Sequence, residues 1–154
     1  MPNQPVNPPA ELLPTLESLR AVYSDALKQH LGKQQTAGTC LYAAILVETA
    51  VRQWLPRLEA VIRGGDGYED GGYFSAAGKG HGHYWVEVDD GRRTWLADIS
   101  GDQFGRPPVQ LLLLSDVRTQ YVAGTQRTVD QHVSEMLEEI DSANAVALKD
   151  MQSQ

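Results

Sequence analysis

A single cysteine, Cys40, supplies all the thiol in this 154-residue chain. One cysteine excludes an internal disulfide and the paired-cysteine spacing of a structural zinc site. Basic residues are scarce as well: 13 Lys and Arg stand against 20 Asp and Glu, for a net charge of -7. With no clustered Lys or Arg, the phosphate-tracking surface from which nucleic-acid binders draw their affinity is absent. No run of about 18 apolar residues is present, so no membrane span is expected. There is no phosphate-cradling glycine motif, no internal repeat and no low-complexity tract. The opening Met1-Pro-Asn-Gln-Pro-Val-Asn-Pro-Pro carries neither the basic start nor the apolar segment of a secretory signal. A reducing cytoplasm is therefore expected, with export by a non-classical route the other possibility.

The length is that of one domain with a proper core. Residues 1–9 read as a flexible, proline-rich lead-in, residues 10–150 as a single domain and 151–154 as a tail. Leu12, Leu13, Leu16, Leu19, Val22, Leu27 and Leu31 recur at helical spacing and predict a helix over 10–31, with Pro14 tolerated in its opening turn. Gly32 to Gly38 is a polar loop. A second helix follows, with Thr39 as its N-cap and Ala44, Val47, Val51, Trp54 and Leu58 on the stripe that also carries Cys40; Pro56 ends or kinks it near Trp54 or Leu55. Short strands are expected at 58–63 and 73–75, the glycine-rich stretch Gly64 to Gly82 supplies turns, and 109–114 and 121–122 read as further strands. Val129, Val133, Met136, Leu137, Ile140 and Val146 predict a C-terminal helix.

The clearest β signal is His83-Tyr-Trp-Val-Glu-Val, then Asp89-Asp-Gly-Arg, then Arg93-Thr-Trp-Leu-Ala-Asp-Ile. A tight turn centred on Asp90 and Gly91 sets Trp85 opposite Leu96, Glu87 opposite Thr94 and His83 directly opposite Asp98, all on one face. The other face pairs Tyr84 with Ala97 and Val86 with Trp95. Large apolar groups on both faces imply that the hairpin is covered on both sides.

A thiol at a helix start, an imidazole able to take its proton and a carboxylate able to orient that imidazole compose the arrangement of nucleophilic catalysis. A helix N-terminus favours the thiolate, which is the nucleophilic form. The plainer alternatives are a small buried cysteine and an ordinary cross-strand polar pair.

At these residues the chain resembles the transglutaminase-like branch of the papain-like cysteine enzymes. Cys40 opens a helix, His83-Tyr-Trp85-Val-Glu87-Val matches a histidine that opens a strand as His-x-Trp-x-Glu, and Trp95-Leu-Ala-Asp98 places an aspartate at the end of the next strand. The likeness covers roughly residues 36–104. It implies an α+β fold in which a central helix carrying the cysteine packs on an antiparallel sheet, with flanking N- and C-terminal helices. The chain departs from the family where Leu41 follows the cysteine, with Tyr42 next, and where Ile99 rather than proline follows Asp98. Asp102 therefore stands as a second candidate for the third member.

The chemistry implied is thiol-dependent acyl transfer or amide hydrolysis, of peptidase, deamidase or transglutaminase type, on a protein, a peptide or a small amide, with no cofactor. Cys40 is the nucleophile, His83 the general base and then acid, and Asp98 the orienting group. Gln34 or Gln35, with the Cys40 backbone N–H, are candidates for holding the oxyanion, and Trp85 and Gln103 for shaping the pocket. Whether water or an amine accepts the acyl group, and the oligomeric state, are not written in the residues. Two alternatives stand beside this: a non-catalytic protein-binding module of the same fold, and a metal site using Cys40, His81, His83 and Asp98, which the glycines beside His81 disfavour. His30 and His132 read as ordinary surface or boundary residues.

Overall fold

The computed structural model describes residues 6–30 and 39–152. Helix α1 spans Leu12–His30 and α2 spans Cys40–Trp54. Strand β1 (Glu59–Gly65) is followed by β2 (Gly72–Phe74) and β3 (Gly80–His81), then by the hairpin strands β4 (His83–Asp89) and β5 (Thr94–Asp98). A 3-10 turn at Gly101–Phe104 leads to β6 (Gln110–Leu113), a one-turn helix α3 (Leu114–Val117), β7 (Tyr121–Val122) and the long helix α4 (Gln126–Gln152). The fold class is α+β: one four-stranded antiparallel sheet ordered β1-β4-β5-β6, and one three-stranded sheet ordered β3-β2-β7.

Helix α1 buries one stripe, Leu12, Leu16, Leu19, Tyr23 and Leu27, at intervals of three and four residues. Leu13 and Val22, expected in that stripe, lie a quarter turn off it and face solvent; Tyr23 takes the core position. Leu31 lies outside the described residues, as does the 32–38 loop. Helix α2 meets the sheet through small side chains, with Ala43, Ala44, Val47, Ala50 and Val51 buried, so its axis comes close to β4 and β1. It closes as expected before Pro56, with the Leu55 N–H bonded to the Val51 carbonyl at 2.9 Å. Trp54, expected on the buried stripe, is the last residue of α2 and is 64% exposed.

The hairpin is where expectation and structure part. Asp90 closes a four-residue turn over 90–93: its N–H bonds the Arg93 carbonyl at 3.0 Å, and its carboxylate accepts the Arg92 and Arg93 N–H groups and the Trp95 indole N–H. Moving the turn by one residue displaces the ladder by two. The pairs are Val86↔Ala97, Glu87↔Leu96, Val88↔Trp95 and Asp89↔Thr94. His83 is therefore not directly opposite Asp98. An even displacement leaves every side chain on its expected face, since strand side chains alternate with period two.

Both faces are covered. Val86, Val88 and Ala97 join the core formed with α1 and α2, while Trp85 and Leu96 pack with Tyr73, Leu114, Val117 and Tyr121 in a second cluster under the small sheet. The Gly64 to Gly82 segment, expected to supply turns around a strand at 73–75, holds β2 at that place, the further short strand β3 and a close backbone junction. A Cβ on Gly65 would lie 2.2 Å from the Gly71 carbonyl carbon, and one on Gly67, where φ is +79°, would lie 2.3 Å from the His81 backbone. Among the described residues no helix is long and apolar enough to cross a membrane.

Candidate active site

Cys40 is the first residue of α2, and its exposure is only 9%. Thr39 precedes it, but its side chain makes no capping hydrogen bond; its hydroxyl instead pairs with the Tyr23 hydroxyl and so ties the start of α2 to α1. Burial pushes the Tyr23 phenol up to about 12, against the opposing Thr39 hydrogen bond, so it stays neutral.

His83 opens β4 and is fully buried, and Asp98 ends β5 at 2% exposure. The two side chains meet with His83 Nε2 at 2.8 Å from Asp98 Oδ2. The contact runs diagonally across the hairpin, a separation that an imidazole and a carboxylate on the same face can span. Nε2 is thus occupied, and Nδ1 faces the Gln103 amide nitrogen at 3.3 Å; Cys40 adds to the forces that favour a charged ring. Aromatic walls fix the ring: Phe104 lies edge-on at 4.9 Å, and Trp85, Tyr121 and Tyr73 stand within 6.4 Å.

Burial alone opposes a charged imidazole, but the Asp98 charge and hydrogen bond outweigh it, Cys40 adds to them, and the His83 pKa rises to about 9. Asp98 obeys the mirror-image balance. Burial opposes its charge, yet His83, the Ser100 N–H and the Tyr121 hydroxyl hold its carboxyl below the usual range.

Asp98 has four donors. Oδ2 receives His83 Nε2 and the Tyr121 hydroxyl, each at 2.8 Å; Oδ1 receives the Ser100 N–H at 2.9 Å and the Ser100 hydroxyl at 3.3 Å. Tyr121 in turn accepts from Gln110 Nε2 at 2.8 Å, and Gln110 Oε1 accepts from Arg106 Nε at 2.6 Å. Gln110 sits directly opposite Asp98 in the β5–β6 ladder, which puts both side chains on one face. Among the described residues no buried side-chain nitrogen or oxygen lacks a partner. Neither Tyr121 nor Gln110 was legible as a site residue, because Tyr121 reaches Asp98 from β7 and Gln110 reaches Tyr121 from β6.

The other candidates separate cleanly. Asp102 is engaged elsewhere: Arg20 holds both its oxygens, at 2.9 and 3.0 Å, and also donates to the Ile99 carbonyl at 2.7 Å, which fastens the 3-10 turn to α1. Asp98, not Asp102, therefore carries the contact to His83. Gln103 does belong to the site; its amide nitrogen stands 3.3 Å from His83 Nδ1 and 3.1 Å from the Ser100 carbonyl. Trp85, expected to shape the pocket, is 1% exposed, lies beneath His83 and lines no part of the open cleft. Gln34 and Gln35 lie outside the described residues. His81 packs on Phe104 at 4.8 Å, and among the described residues no group of three His, Cys, Asp or Glu could hold a metal ion.

A cleft of about 440 Å³ opens over Cys40 and His83. Gly64, Gly65 and Gly82 keep one wall low, and Thr125, Thr128, Val129, His132 and Met136 from α4 and the residue before it form the other. His132, expected as an ordinary surface or boundary residue, is half-buried, lines this cleft and pairs with the Tyr84 hydroxyl. The signal was present in its spacing, three residues after Val129 and four before Met136 on the face of α4 that meets the core. A buried thiol at a helix start, an imidazole oriented by a carboxylate and an adjoining cleft can together perform proton transfer to and from sulfur. No protein-family model matches this chain, and neither a curated protein nor a solved structure matches it.

Proposed function

We propose that the chain is a thiol-dependent enzyme acting on an amide or related acyl group, of the transglutaminase-like kind within the papain-like cysteine enzymes. The observation that carries this reading is the setting of His83: Asp98 holds Nε2 at 2.8 Å, and the ring shares the lining of one cleft with Cys40. A merely structural histidine would have no need of a thiol partner there.

His83, which its raised value keeps protonated at neutral pH, holds the proton drawn from Cys40, and the sulfur so bared attacks the carbonyl carbon and forms the S–C bond. Backbone N–H groups in the first turn of α2, which have no partner within the helix, stabilise the oxyanion. Collapse of the tetrahedral adduct breaks the C–N bond, and the leaving amine takes the proton from His83. Water or an amine then attacks the thioester, gives its proton to His83 and releases the thiolate, which restores the starting pair. Asp98 stays ionised throughout and holds the ring. The substrate is a protein, a peptide or a small amide, and a reducing compartment such as the cytoplasm keeps the lone thiol available.

Incubation with a chromogenic acyl ester, followed by intact and peptide mass analysis, tests the reading. An acyl adduct on Cys40 that is absent in Cys40→Ser and slower to form in His83→Ala is expected. A protein that forms no adduct, or forms it equally well without His83, is a binding module on this fold.

A further inference from the structure

The chain of side chains behind Asp98 has a direction, and the direction is set at its far end. A guanidinium can only donate, so the Gln110 atom that meets Arg106 Nε at 2.6 Å must be the carbonyl oxygen. That choice turns the Gln110 amide N–H toward Tyr121, at 2.8 Å. The Tyr121 oxygen is then already accepting, and its single hydrogen is directed to Asp98 Oδ2, also at 2.8 Å. Asp98 receives donors from Tyr121 and from Ser100, which makes the ionised carboxylate its satisfied form. An ionised Asp98 requires a donor on the last side, and His83 Nε2 supplies it.

We propose that Arg106 and Gln110 are positioning residues which, through Tyr121 and Asp98 and together with the Gln103 amide that faces Nδ1, fix His83 in the tautomer that carries its hydrogen on Nε2 and leaves Nδ1 to exchange a proton with Cys40. The use of that tautomer in catalysis rests on the thiol reading above; the ordering of the protons does not. Arg106 is held for this task from several sides. Its Nη1 donates to Gln120 Oε1 at 2.9 Å, and its guanidinium lies over the Tyr121 and Tyr73 rings at 5.6 and 5.8 Å. A guanidinium so placed cannot rotate away to let the amide reverse.

Gln110→Glu reverses the order with almost no change of shape. The new carboxylate accepts from Arg106 and also from Tyr121, so the Tyr121 hydrogen leaves Asp98, which, beside a second negative charge, takes a proton itself and donates it to His83 Nε2. Arg106→Met frees the amide to turn, and Arg106→Lys restores a donor. The readout is the nitrogen-15 shift pattern of the His83 ring, taken at about pH 10 so that the imidazole is neutral. A single Nε2–H form in the native chain and in Arg106→Lys is expected, with a mixed or Nδ1–H form in Gln110→Glu and Arg106→Met. Cys40 alkylation at neutral pH should fall roughly tenfold in Gln110→Glu, the lower end of what an outer hydrogen-bond partner is worth. An unchanged Nε2–H pattern in both Gln110→Glu and Arg106→Met overturns the proposal. If the pattern shifts as expected while His83→Ala leaves Cys40 alkylation unaltered, the ordering stands and the catalytic reading falls.

Discussion

His83 and Asp98 meet across the hairpin on a diagonal: Nε2 and Oδ2 are 2.8 Å apart, although the ladder that runs Val86↔Ala97 and Glu87↔Leu96 places Asp98 two residues away from the position opposite His83. The contact survives the displaced register because the displacement is even. Both residues sit at strand ends, where a four-donor shell can close around the carboxylate.

Asp98→Asn tests that shell. An amide would offer His83 Nε2 either a carbonyl oxygen or an N–H, and the four donors around it favour neither arrangement fully. Loss of the single tautomer should lower turnover of an acyl ester by about 1,000-fold or more, the scale set by the same change in other triads. Steady-state rates checked against a fold that is intact by near-UV circular dichroism decide the point; a loss below about tenfold would mean that Asp98 does not orient the base.

Asp102→Asn should behave oppositely. It weakens the paired hydrogen bonds from Arg20 that join the 3-10 turn to α1, both partly exposed, and is expected to cost about 1 kcal/mol in urea unfolding. Cys40 reactivity should stay near the native level, since the His83–Asp98 contact does not depend on that carboxylate.

Stability should depend on pH through His83. Its folded value, about 9, lies above the ordinary value of 6.5. The folded state therefore gains from binding this proton, and the gain is full below 6.5 and disappears as the pH rises through about 9. The size is on the order of 3 kcal/mol. Asp98, held low, contributes in the reverse sense: its gain is present above the ordinary carboxylate value and is lost as the pH falls through the depressed one. Urea midpoints in the native chain should thus decline between neutral pH and about pH 9.5, and the decline should flatten in His83→Gln.

Gly101→Ala probes the packing behind the site. An added Cβ would lie 2.6 Å from Gln110 Nε2 and 3.0 Å from Asp98 Oδ2, both buried and both hydrogen-bonded. Overpacking at such a point is expected to cost about 1–3 kcal/mol, read as a lower urea midpoint. A neutral result would show that the network yields easily and does not hold the carboxylate.

Much of the site was legible in local patterns. Cys40 at a helix start follows from the stripe through Ala44, Val47 and Val51 and the stop at Pro56, and the strands carrying His83 and Asp98 follow from aromatic and β-branched runs. The face shared by His83 and Asp98 follows from parity alone, which is why it withstood a wrong register. The register itself was hidden because Asp-Gly suggests a turn centred on 90 and 91, whereas Asp90 uses its own carboxylate to cap a turn that extends to Arg93. Asp98 could not be distinguished from Asp102 without knowing that α1 brings Arg20 to the second of them. Tyr121, Gln110 and Arg106 come from β7, β6 and the segment before it, and only the tertiary fold brings them behind the carboxylate.

The most direct measurement is the rate of Cys40 alkylation by iodoacetamide at neutral pH in the native chain and in His83→Ala, each checked for an intact fold. If His83 draws the proton from Cys40, the native thiol should react at least about tenfold faster than the variant. Equal rates in the two proteins, or a native thiol that reacts only after unfolding, would contradict a catalytic Cys40–His83 pair.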